Sequence, residues 1–523
     1  MQLQRRCLQE LSEVTSRTLG HAPGNDLATS LTDARFAAAE WKGEPYFASL
    51  AKTYLIAAAF LQDLVAPDTA SKDERQLEML TRQLTSALSP ANFLMTNPEA
   101  LALARRTNGQ SLVQGFSNLV SDLTRGRISQ TDTSAFEVGK NLAATPGAVV
   151  YENGLIELIQ YAPSTDLVDE RPLLIVPPCI NRFYVLDLTP ENSFVRHALQ
   201  QGRTVFMLSW RSATSETASS TWDDYLSQGV LKAAEVACDI CGTAQVDALG
   251  FCIGGTLLTC AAAVAAGRGT QVFSSLTLLT TLLDFAEAGD LGAMVDERTV
   301  AAREISIGSG GLLYGEELAG VFSALRSDDL VWPYVVGNYL KGQRPAAFDI
   351  LFWNADPTDL PGPMVCWYLR NAYLENRIRK PAGTVQAGVA VDLSELTMPV
   401  YVLAARDDHI VPWHSAFEAI RLLGGETRFV LAASGHIAGV INPPSRNRRS
   451  YWSGGTQGIG PRTWLRTSEQ KPGSWWPDWG AWLARHRSKL IPARHDLGSP
   501  TFPPTSAAPG RYVRIPALRR SGP

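Results

Sequence analysis

The sequence has little of several features that would each point to a class of function. Its 523 residues include only seven cysteines, an odd number that is too sparse for a disulfide framework and that predicts free thiols in a reducing cytosol. The formal net charge of −4 gives no reason to expect a nucleic-acid partner. We find no run of about 18 apolar residues that could span a bilayer, and residues 1–19 lack the apolar core of a signal peptide. The sequence therefore predicts a cytoplasmic protein without a membrane span.

Metal-binding patterns are equally scarce. Cys238 and Cys241 form a C-x-x-C pair inside an expected helix, Leu231 to Cys241, but no second ligand pair accompanies them as in a zinc site. A pair of small core residues is the alternative that fits better. We therefore expect neither a metal nor a cofactor.

With 45% hydrophobic and 19% charged residues, the chain has the composition of a globular protein, and its length suggests two or three units. Residues 1–150 have helical periodicity and turn signals, which predict a mostly helical N-terminal domain for assembly or partner binding. Over 151–523, short apolar runs alternate with helical stretches, as in a parallel α/β sheet. Residues 284–380 interrupt that alternation and predict an inserted cap. The Pro- and Arg-rich stretch 501–523 is expected to be a solvated tail.

One short stretch combines a strand, a sharp turn and a helix around a cysteine. Val246 to Leu249 is apolar like a buried strand, and Thr256 to Val264 consists largely of small helix formers. Between them, Gly250-Phe251-Cys252-Ile253-Gly254 has the G-x-nucleophile-x-G pattern, in which the glycines make room for a strained turn. The pattern favours Cys252 as a nucleophile, with the amide of Ile253 aimed at an oxyanion on a bound acyl group. A structural cysteine in a glycine-rich turn is the alternative.

A thiol nucleophile needs a base and a carboxylate that orients the base. Of the seven histidines, His436 comes just after the expected strand Phe429 to Leu431. Asp407 and Asp408 follow an earlier expected strand, where the acid belongs. His409 could compete as the base, but its place directly after the acid favours a structural role. The order cysteine, aspartate, histidine predicts an α/β-hydrolase fold with an inserted cap, preceded by the mostly helical domain.

A second oxyanion donor is expected in the loop after the strand Leu173 to Val176. The two prolines that follow this strand have no N–H to donate. The first available amides are those of Cys179, Ile180 and Asn181, and we take Ile180 as the candidate. The Cys179 side chain is expected to be a small buried residue and not a second nucleophile.

Several stretches, from about Asp33 to the end of the chain, are similar to those of one known family. They are Pro177 to Asn181 with Leu186-Asp187-Leu188, Gly250 to Gly255, Asn354 with Leu360 to Pro363, Asp408 to Trp413, Ser434 to Pro444, and Gly473 to Pro477. On these stretches the chain resembles the class I polyhydroxyalkanoate synthases, which polymerise (R)-3-hydroxyacyl-CoA into polyester with release of CoA. By this resemblance Cys252 holds the growing chain, His436 activates the thiol and Asp408 is the acid.

The resemblance also implies the partners. The substrate would be an (R)-3-hydroxyacyl-CoA, and the product a growing polyester chain at a granule surface in the cytoplasm, made by a homodimer. Cysteine suits this chemistry, because transfer from the CoA sulfur to Cys252 exchanges one thioester for another, and attack by a 3-hydroxyl then gives a more stable oxoester. Two alternatives stay open. One is a cysteine hydrolase of the same fold, of the dienelactone-hydrolase or polyester-depolymerase type, and the other is an inactive granule-coating scaffold.

Overall fold

The computed structural model describes residues 2–18, 31–66, 72–458 and 460–518. The chain forms two compact units, of which one contains Met1–Ala135 and Gly320–Phe352, and the other Phe136–Ala319 and Trp353–Pro523. The residues of the expected cap, 284–380, are therefore divided between the units, and the expected boundary near residue 150 falls inside the second unit. The order of elements along the sequence cannot show that residues 320–352 pack with helices that lie much earlier in the chain. One such contact is the hydrogen bond that the Asn118 side-chain amide donates to the Asn338 carbonyl.

Helices build the first unit. Those described in it are Gln2–Thr18, Ala39–Gly43, Pro45–Val65, Lys72–Ala87, Pro98–Arg106, Gln110–Arg125, Ser327–Leu330 and Trp332–Tyr334, followed by a π-helical turn at Val335–Leu340. The helix Pro98–Arg106 begins at a proline, and the Asn97 side chain caps it by accepting the Ala100 N–H. Phe36 and Trp41 are fully buried and pack edge to face at the centre of this unit's core.

The helix Pro45–Val65 was not expected to be long and apolar enough to cross a membrane, but by length and composition alone it is. Polar residues such as Lys52 and Gln62 interrupt the run, so that inspection for an unbroken apolar stretch overlooks it. Only 17% of the apolar window is buried, although Phe47, Ala51 and Ile56 of this helix lie in the core of the first unit.

A mixed sheet dominates the second unit. Eleven of the described strands form it: β1 (Gly147–Glu152), β2 (Ile156–Tyr161), β3 (Leu173–Val176), β4 (Val205–Trp210), β5 (Val246–Phe251), β6 (Phe273–Leu279), β7 (Val400–Ala405), β8 (Thr427–Ala432), β9 (Ser450–Ser453), β10 (Glu469–Pro472) and β11 (Ser506–Ala507). Their spatial order is β10-β9-β8-β7-β6-β5-β3-β4-β2-β1-β11. The strands from β8 to β4 in that order are parallel, and the outer strands on both sides pair antiparallel.

The central strands are buried on both faces, since every residue of β3, β4, β5 and β7 is buried. This burial explains why the sequence shows continuous apolar runs there and not an alternation. Strand β6 ends at Leu279, because Thr280 has φ 40° and the chain leaves the sheet there. The predicted α/β fold is confirmed.

Helices and short hairpins connect these strands. The helices that begin in the second unit are Phe194–Gln200, Trp222–Asp224, Lys232–Cys241, Ile253–Gly267, Gly289–Met294, Glu297–Ile307, Gly315–Leu325, Gly362–Tyr368, Trp413–Phe417, Ala419–Leu422, His436–Val440, Pro461–Thr467 and Trp476–Arg485, with π-helical turns at Tyr225–Leu231 and Leu369–Leu374. The helix Asp349–Asn354 begins in the first unit and ends in the second. Two-stranded pairs join Leu167–Asp169 with Leu490–Pro492, Leu312–Leu313 with Leu360–Pro361, and Val385–Gln386 with Val389–Ala390.

The expected solvated C-terminal tail is exposed over most of residues 501–507, but residues 509–513 pack on the second unit. Strand β11 pairs with β1, and Tyr512 and Val513 are buried. The buried Glu157 carboxylate accepts the backbone N–H groups of Arg511 and Tyr512. The tail itself has arginines and no acid, so its composition could not show that its carboxylate partner lies much earlier in the chain. Residues 519–523 of the expected tail lie outside the described residues.

Candidate active site

The turn at Cys252 has the strained geometry that the sequence pattern predicts. Strand β5 ends at Phe251, the helix Ile253–Gly267 begins directly after Cys252, and Cys252 has φ 55° and ψ −128°. Positive φ in a non-glycine residue is uncommon and marks a constrained position. The Cys252 N–H donates to the Leu279 carbonyl at 2.9 Å, and the Cys252 carbonyl accepts the Gly255 N–H at 2.9 Å. These bonds hold Cys252 between the strand and the helix.

The glycines around Cys252 allow backbone segments to approach closely. A Cβ on Gly250 would lie 2.4 Å from the Gly255 Cα, and a Cβ on Gly254 would lie 2.3 Å from the Val176 carbonyl oxygen. The sequence pattern singles out these two glycines. The structure adds Gly255, where a Cβ would lie 2.0 Å from the Thr281 hydroxyl oxygen. The close contact at Gly254 brings the first turn of the helix against the end of β3.

The structure distinguishes the two neighbouring aspartates. Asp407 is exposed, whereas Asp408 is buried. One oxygen of Asp408, Oδ1, accepts the backbone N–H groups of Ile410 and Val411, each at 2.9 Å. The other, Oδ2, lies 2.6 Å from His436 Nδ1. The carboxylate of Asp408 is thus held by the backbone and can orient the imidazole ring of His436.

His436 is buried where the helix His436–Val440 begins, and its ring stacks on Phe251 at a centroid distance of 5.5 Å. Burial lowers the pKa of His436, but the charges of Asp408 and Cys252 and hydrogen bonds to both side chains raise it to about 10. The structure therefore brings together the three residues that the sequence predicts as nucleophile, acid and base. Their catalytic roles stay a prediction.

The other cysteines near Cys252 are less suited to act as nucleophiles. All seven cysteines are free, and Cys252 is partly exposed, whereas Cys179 and Cys260 are buried. Burial raises the pKa of Cys260 to about 12 and raises that of Cys179 still further, with a smaller contribution from the charge of Cys252. Thiolate is the reactive form, so burial and a raised pKa make these two thiols poorer candidates for the nucleophile than Cys252.

The two candidate oxyanion donors lie on either side of the contact at Gly254. Ile253 is the first residue of its helix, where backbone N–H groups have no partner within the helix. Ile180 lies in the loop after β3, and two hydrogen bonds from Thr358 hold this loop. The Thr358 hydroxyl donates to the Cys179 carbonyl at 2.5 Å, and the Thr358 N–H donates to the Ile180 carbonyl at 3.2 Å. Donation by Ile253 and Ile180 to an oxyanion stays a prediction.

A cluster of aromatic side chains near the thiol is not predicted by the sequence. The Tyr368 and Tyr373 rings lie 5.4 Å apart, and Phe285 packs edge to face on both. Burial raises the pKa of both tyrosines, and the charge of Cys252 contributes to each increase. Residues five apart diverge on an α-helix but align where the helix is π-helical, as it is at Leu369–Leu374. A search at the α-helical period therefore cannot pair these tyrosines.

Comparison with known proteins assigns the family. The model of the poly-beta-hydroxybutyrate polymerase (PhaC) N-terminus matches residues 32–198. The poly(3-hydroxyalkanoate) polymerase subunit PhaC of Cupriavidus necator is 50% identical over 503 residues, which are 95% of this chain and 85% of the relative. The chain belongs to the class I polyhydroxyalkanoate synthase family. A second relative in this synthase family, the corresponding subunit of Rhizobium meliloti, is 40% identical over 99% of this chain and 86% of its own length.

The fold comparison agrees with the sheet. An alpha/beta hydrolase fold model matches residues 172–443, which include the strands β3 to β8 and all three predicted catalytic residues. The enol-lactonase of Burkholderia xenovorans LB400 aligns with 56% of this synthase-family chain and 94% of its own chain, at 14% identity and a TM-score of 0.31. The fold assignment rests on the family model and the strand order.

Proposed function

We propose that this chain polymerises (R)-3-hydroxyacyl groups from their CoA thioesters into polyester, with release of CoA, through acyl thioesters on Cys252. The observation that carries the proposal is the hydrogen-bonded pair of Asp408 and His436 beside a thiol on a strained turn. Family membership, with a relative named poly(3-hydroxyalkanoate) polymerase at 50% identity, supports the substrate class.

Acylation of Cys252 is the first chemical step. Because His436 Nδ1 is engaged with Asp408, the other ring nitrogen, Nε2, takes the proton of the thiol. The thiolate adds to the acyl carbon, and the amides of Ile253 and Ile180 donate to the oxyanion that forms. When this intermediate collapses, the bond between carbon and the CoA sulfur breaks. The leaving CoA thiolate takes the proton from His436, and the acyl group remains as a thioester of Cys252.

In the elongation step, a hydroxyl group attacks the acyl thioester on Cys252. His436 takes the proton from the 3-hydroxyl of a substrate or a growing chain, and the hydroxyl oxygen attacks the thioester carbon. The bond from carbon to the Cys252 sulfur breaks, an oxoester forms, and the thiolate regains a proton from His436. An oxoester is more stable than a thioester, so this step proceeds towards the polymer.

The acyl-enzyme must be protected from water, which would release a free acid by the same route. The cluster of Phe285, Tyr368 and Tyr373 supports such protection, because its rings pack on one another and both tyrosines are buried near enough to Cys252 for the charge of that residue to raise their pKa. A cysteine hydrolase of the same fold would share the first step and differ only in using water in the second.

The product identifies the reaction. Purified protein given (R)-3-hydroxybutyryl-CoA should release CoA and form insoluble polyester. Thiol titration measures the CoA, and turbidity and chromatography of the methanolysed precipitate measure the polyester. Butyryl-CoA is the matched control, because it lacks the 3-hydroxyl and should release about one CoA per site and no polymer. Soluble 3-hydroxybutyrate in one-to-one yield with CoA would replace the synthase by the hydrolase, and no CoA release at all would favour the inactive scaffold.

We extend the proposal to a homodimer that binds polyester granules in the cytoplasm, as the family resemblance implies. Apolar side chains on two helices of the first unit support a contact with an apolar surface. Leu77, Leu80 and Leu84 of Lys72–Ala87 are about half exposed, and Phe116 and Leu123 of Gln110–Arg125 are more exposed still. Light scattering on the purified protein tests the dimer, and sedimentation with polyester granules, with and without Phe116→Ser and Leu123→Ser, tests the attachment.

A further inference from the structure

A buried arginine connects the loop that contains Ile180 to the C-terminal segment. Arg182 follows that loop, and its side chain is 1% exposed. Its Nε donates to Asp356 Oδ1 at 3.2 Å, its Nη1 donates to the Tyr512 carbonyl at 3.2 Å, and its Nη2 donates to the Ile515 carbonyl. The planar guanidinium thus spans a carboxylate and two backbone carbonyls, which an ammonium group cannot match.

The C-terminal segment to which Arg182 binds is itself anchored. The Glu157 carboxylate accepts the backbone N–H groups of Arg511 and Tyr512 at 3.1 and 3.0 Å. The Tyr512 hydroxyl donates to the Asn153 carbonyl at 2.7 Å, and strand β11 pairs with β1 just before this segment. The carbonyls that accept from Arg182 therefore belong to a fixed part of the second unit.

The loop between β3 and Arg182 has a defined orientation. The Trp353 indole donates to the Arg182 carbonyl at 2.7 Å, and the Thr358 hydroxyl donates to the Cys179 carbonyl at 2.5 Å. In a trans peptide the carbonyl of one residue and the N–H of the next point in opposite directions. Because the Cys179 carbonyl points to Thr358, the Ile180 N–H points away from Thr358. A Cβ on Gly254 would lie 2.3 Å from the Val176 carbonyl oxygen and 2.5 Å from the Pro177 carbonyl oxygen, so the start of this loop packs against the turn that holds the Cys252 thiol.

We propose that Arg182 is a positioning residue for the acylation of Cys252: with Thr358 it holds the Ile180 N–H where the oxyanion forms, by binding its loop to the C-terminal segment. This inference rests on the proposed function, because it takes Ile180 as an oxyanion donor. Arg182 itself touches none of the reacting atoms. Its loss should weaken stabilisation of the transition state and leave the thiol of Cys252 intact.

Two reactions of the same thiol separate positioning from folding. Acylation by butyryl-CoA, measured as the rate of the CoA burst, needs the oxyanion donors, whereas alkylation of Cys252 by iodoacetamide needs only the thiolate. In Arg182→Met we expect acylation to slow about 100-fold, as for a lost or misplaced oxyanion donor, with alkylation within about twofold of wild type. The acylation rate of Arg182→Lys should lie between those of the wild type and Arg182→Met, because lysine keeps the charge but not the planar guanidinium group.

Matched variants keep the test decisive. Thr358→Val removes one hydroxyl at nearly constant shape, so this variant serves as the test if Arg182→Met does not fold. In Thr358→Val we expect acylation to be about 10-fold slower than in the wild type and alkylation to be unchanged. Arg514→Met changes an exposed arginine of the same C-terminal segment and should alter neither rate.

The possible outcomes separate this inference from the proposed function. Acylation within twofold of wild type in both Arg182→Met and Thr358→Val would overturn the inference, and so would a parallel fall of acylation and alkylation, which indicates a structural role. Absence of a CoA burst in the wild type would instead overturn the proposed function, and this inference with it. Whether the acyl group later passes to a hydroxyl or to water does not affect the burst.

Discussion

The two ends of the parallel strands in the second unit each hold a buried acid paired with a basic side chain, and the pairs differ in the groups that surround them. At the carboxyl ends, Asp408 Oδ2 lies 2.6 Å from His436 Nδ1. At the amino ends, Arg203 Nη1 donates to Asp247 Oδ2 at 2.9 Å, and both of these side chains are at most 2% exposed. By burial and distance alone, the two pairs are alike.

The third partner distinguishes the pairs. Asp247 also accepts the Ser275 hydroxyl at 2.7 Å, and Arg203 Nη2 donates to the Leu483 carbonyl at 3.1 Å, so this pair is completed by groups that do not react. The second hydrogen-bond partner of the His436 ring, beside Asp408, is instead the thiol of Cys252. An imidazole exchanges protons near neutral pH and a guanidinium does not. A buried charge pair therefore indicates catalysis only when a proton-exchanging group adjoins a nucleophile.

The largest effect should follow from removal of the nucleophile. Cys252→Ala leaves the Asp408–His436 pair in place but has no sulfur to acylate, so we expect CoA release to fall by roughly 10⁴-fold or more. Cys260→Ala, in the helix that follows Cys252, is the matched control and should change the rate by less than about threefold, because a buried thiol with a raised pKa takes no part. CoA release by the Cys252→Ala protein at a tenth of the wild-type rate would refute the assignment.

The next effect separates the adjacent aspartates. Asp408→Asn should lower the rate of CoA release by about 10³- to 10⁴-fold, since the amide can no longer hold His436 in the required tautomer. His436→Gln should lose at least as much. Asp407→Asn should change the rate by less than about twofold, because Asp407 is exposed. Equal losses in the two asparagine variants, measured with the same substrate, would show that Asp408 does not act through His436.

A substitution at the amino ends should affect stability and not chemistry. Arg203→Met removes the cation that lies 2.9 Å from the buried Asp247 carboxylate and leaves Arg171 Nε at 4.0 Å from it, so we expect a loss of about 3 kcal/mol of unfolding free energy, the lower end of the cost of breaking a buried pair. We expect a correspondingly lower midpoint in urea, with CoA release per folded molecule unchanged. A loss of activity in fully folded Arg203→Met protein would mean that the two ends of the sheet are not independent.

A smaller effect should appear in the pH dependence of stability. The pKa of His436 is raised to about 10 in the folded protein, above about 6.5 in an unfolded chain. The protonated ring therefore stabilises the fold fully below about pH 6.5, and this contribution is lost as the pH rises through 10. We expect the difference in Tm between wild type and His436→Gln, measured by calorimetry, to shrink from pH 6.5 towards pH 10. A difference that grows over this range would contradict the raised pKa.

The sequence predicts those parts of the site that depend on local pattern. The strand before Cys252 is buried on both faces and reads as an apolar run, and the glycines on either side of Cys252 mark the strained turn. The residues alone left Asp407 and Asp408 open as the acid, and the family resemblance favoured Asp408. Burial and the hydrogen bond to His436 distinguish these two neighbours in space, which spacing along a loop cannot do.

The parts that were not predicted depend on long-range contacts or on unusual helical geometry. Arg182 donates to the carbonyls of Tyr512 and Ile515, which lie more than 300 residues away in sequence. No local sequence pattern predicts such a hydrogen bond. Tyr368 and Tyr373 meet because the helix between them is π-helical. The sequence period of an ordinary α-helix places them on different faces.

The most direct test of the central claim is to locate the acyl group. Wild-type protein is incubated with an (R)-3-hydroxyacyl-CoA analogue whose 3-hydroxyl is blocked, so that the acyl-enzyme cannot elongate, and it is then digested and mapped by mass spectrometry. We predict a single acyl adduct on Cys252, absent after prior treatment with iodoacetamide. An adduct on Cys179 or Cys260, with Cys252 unmodified, would contradict the account.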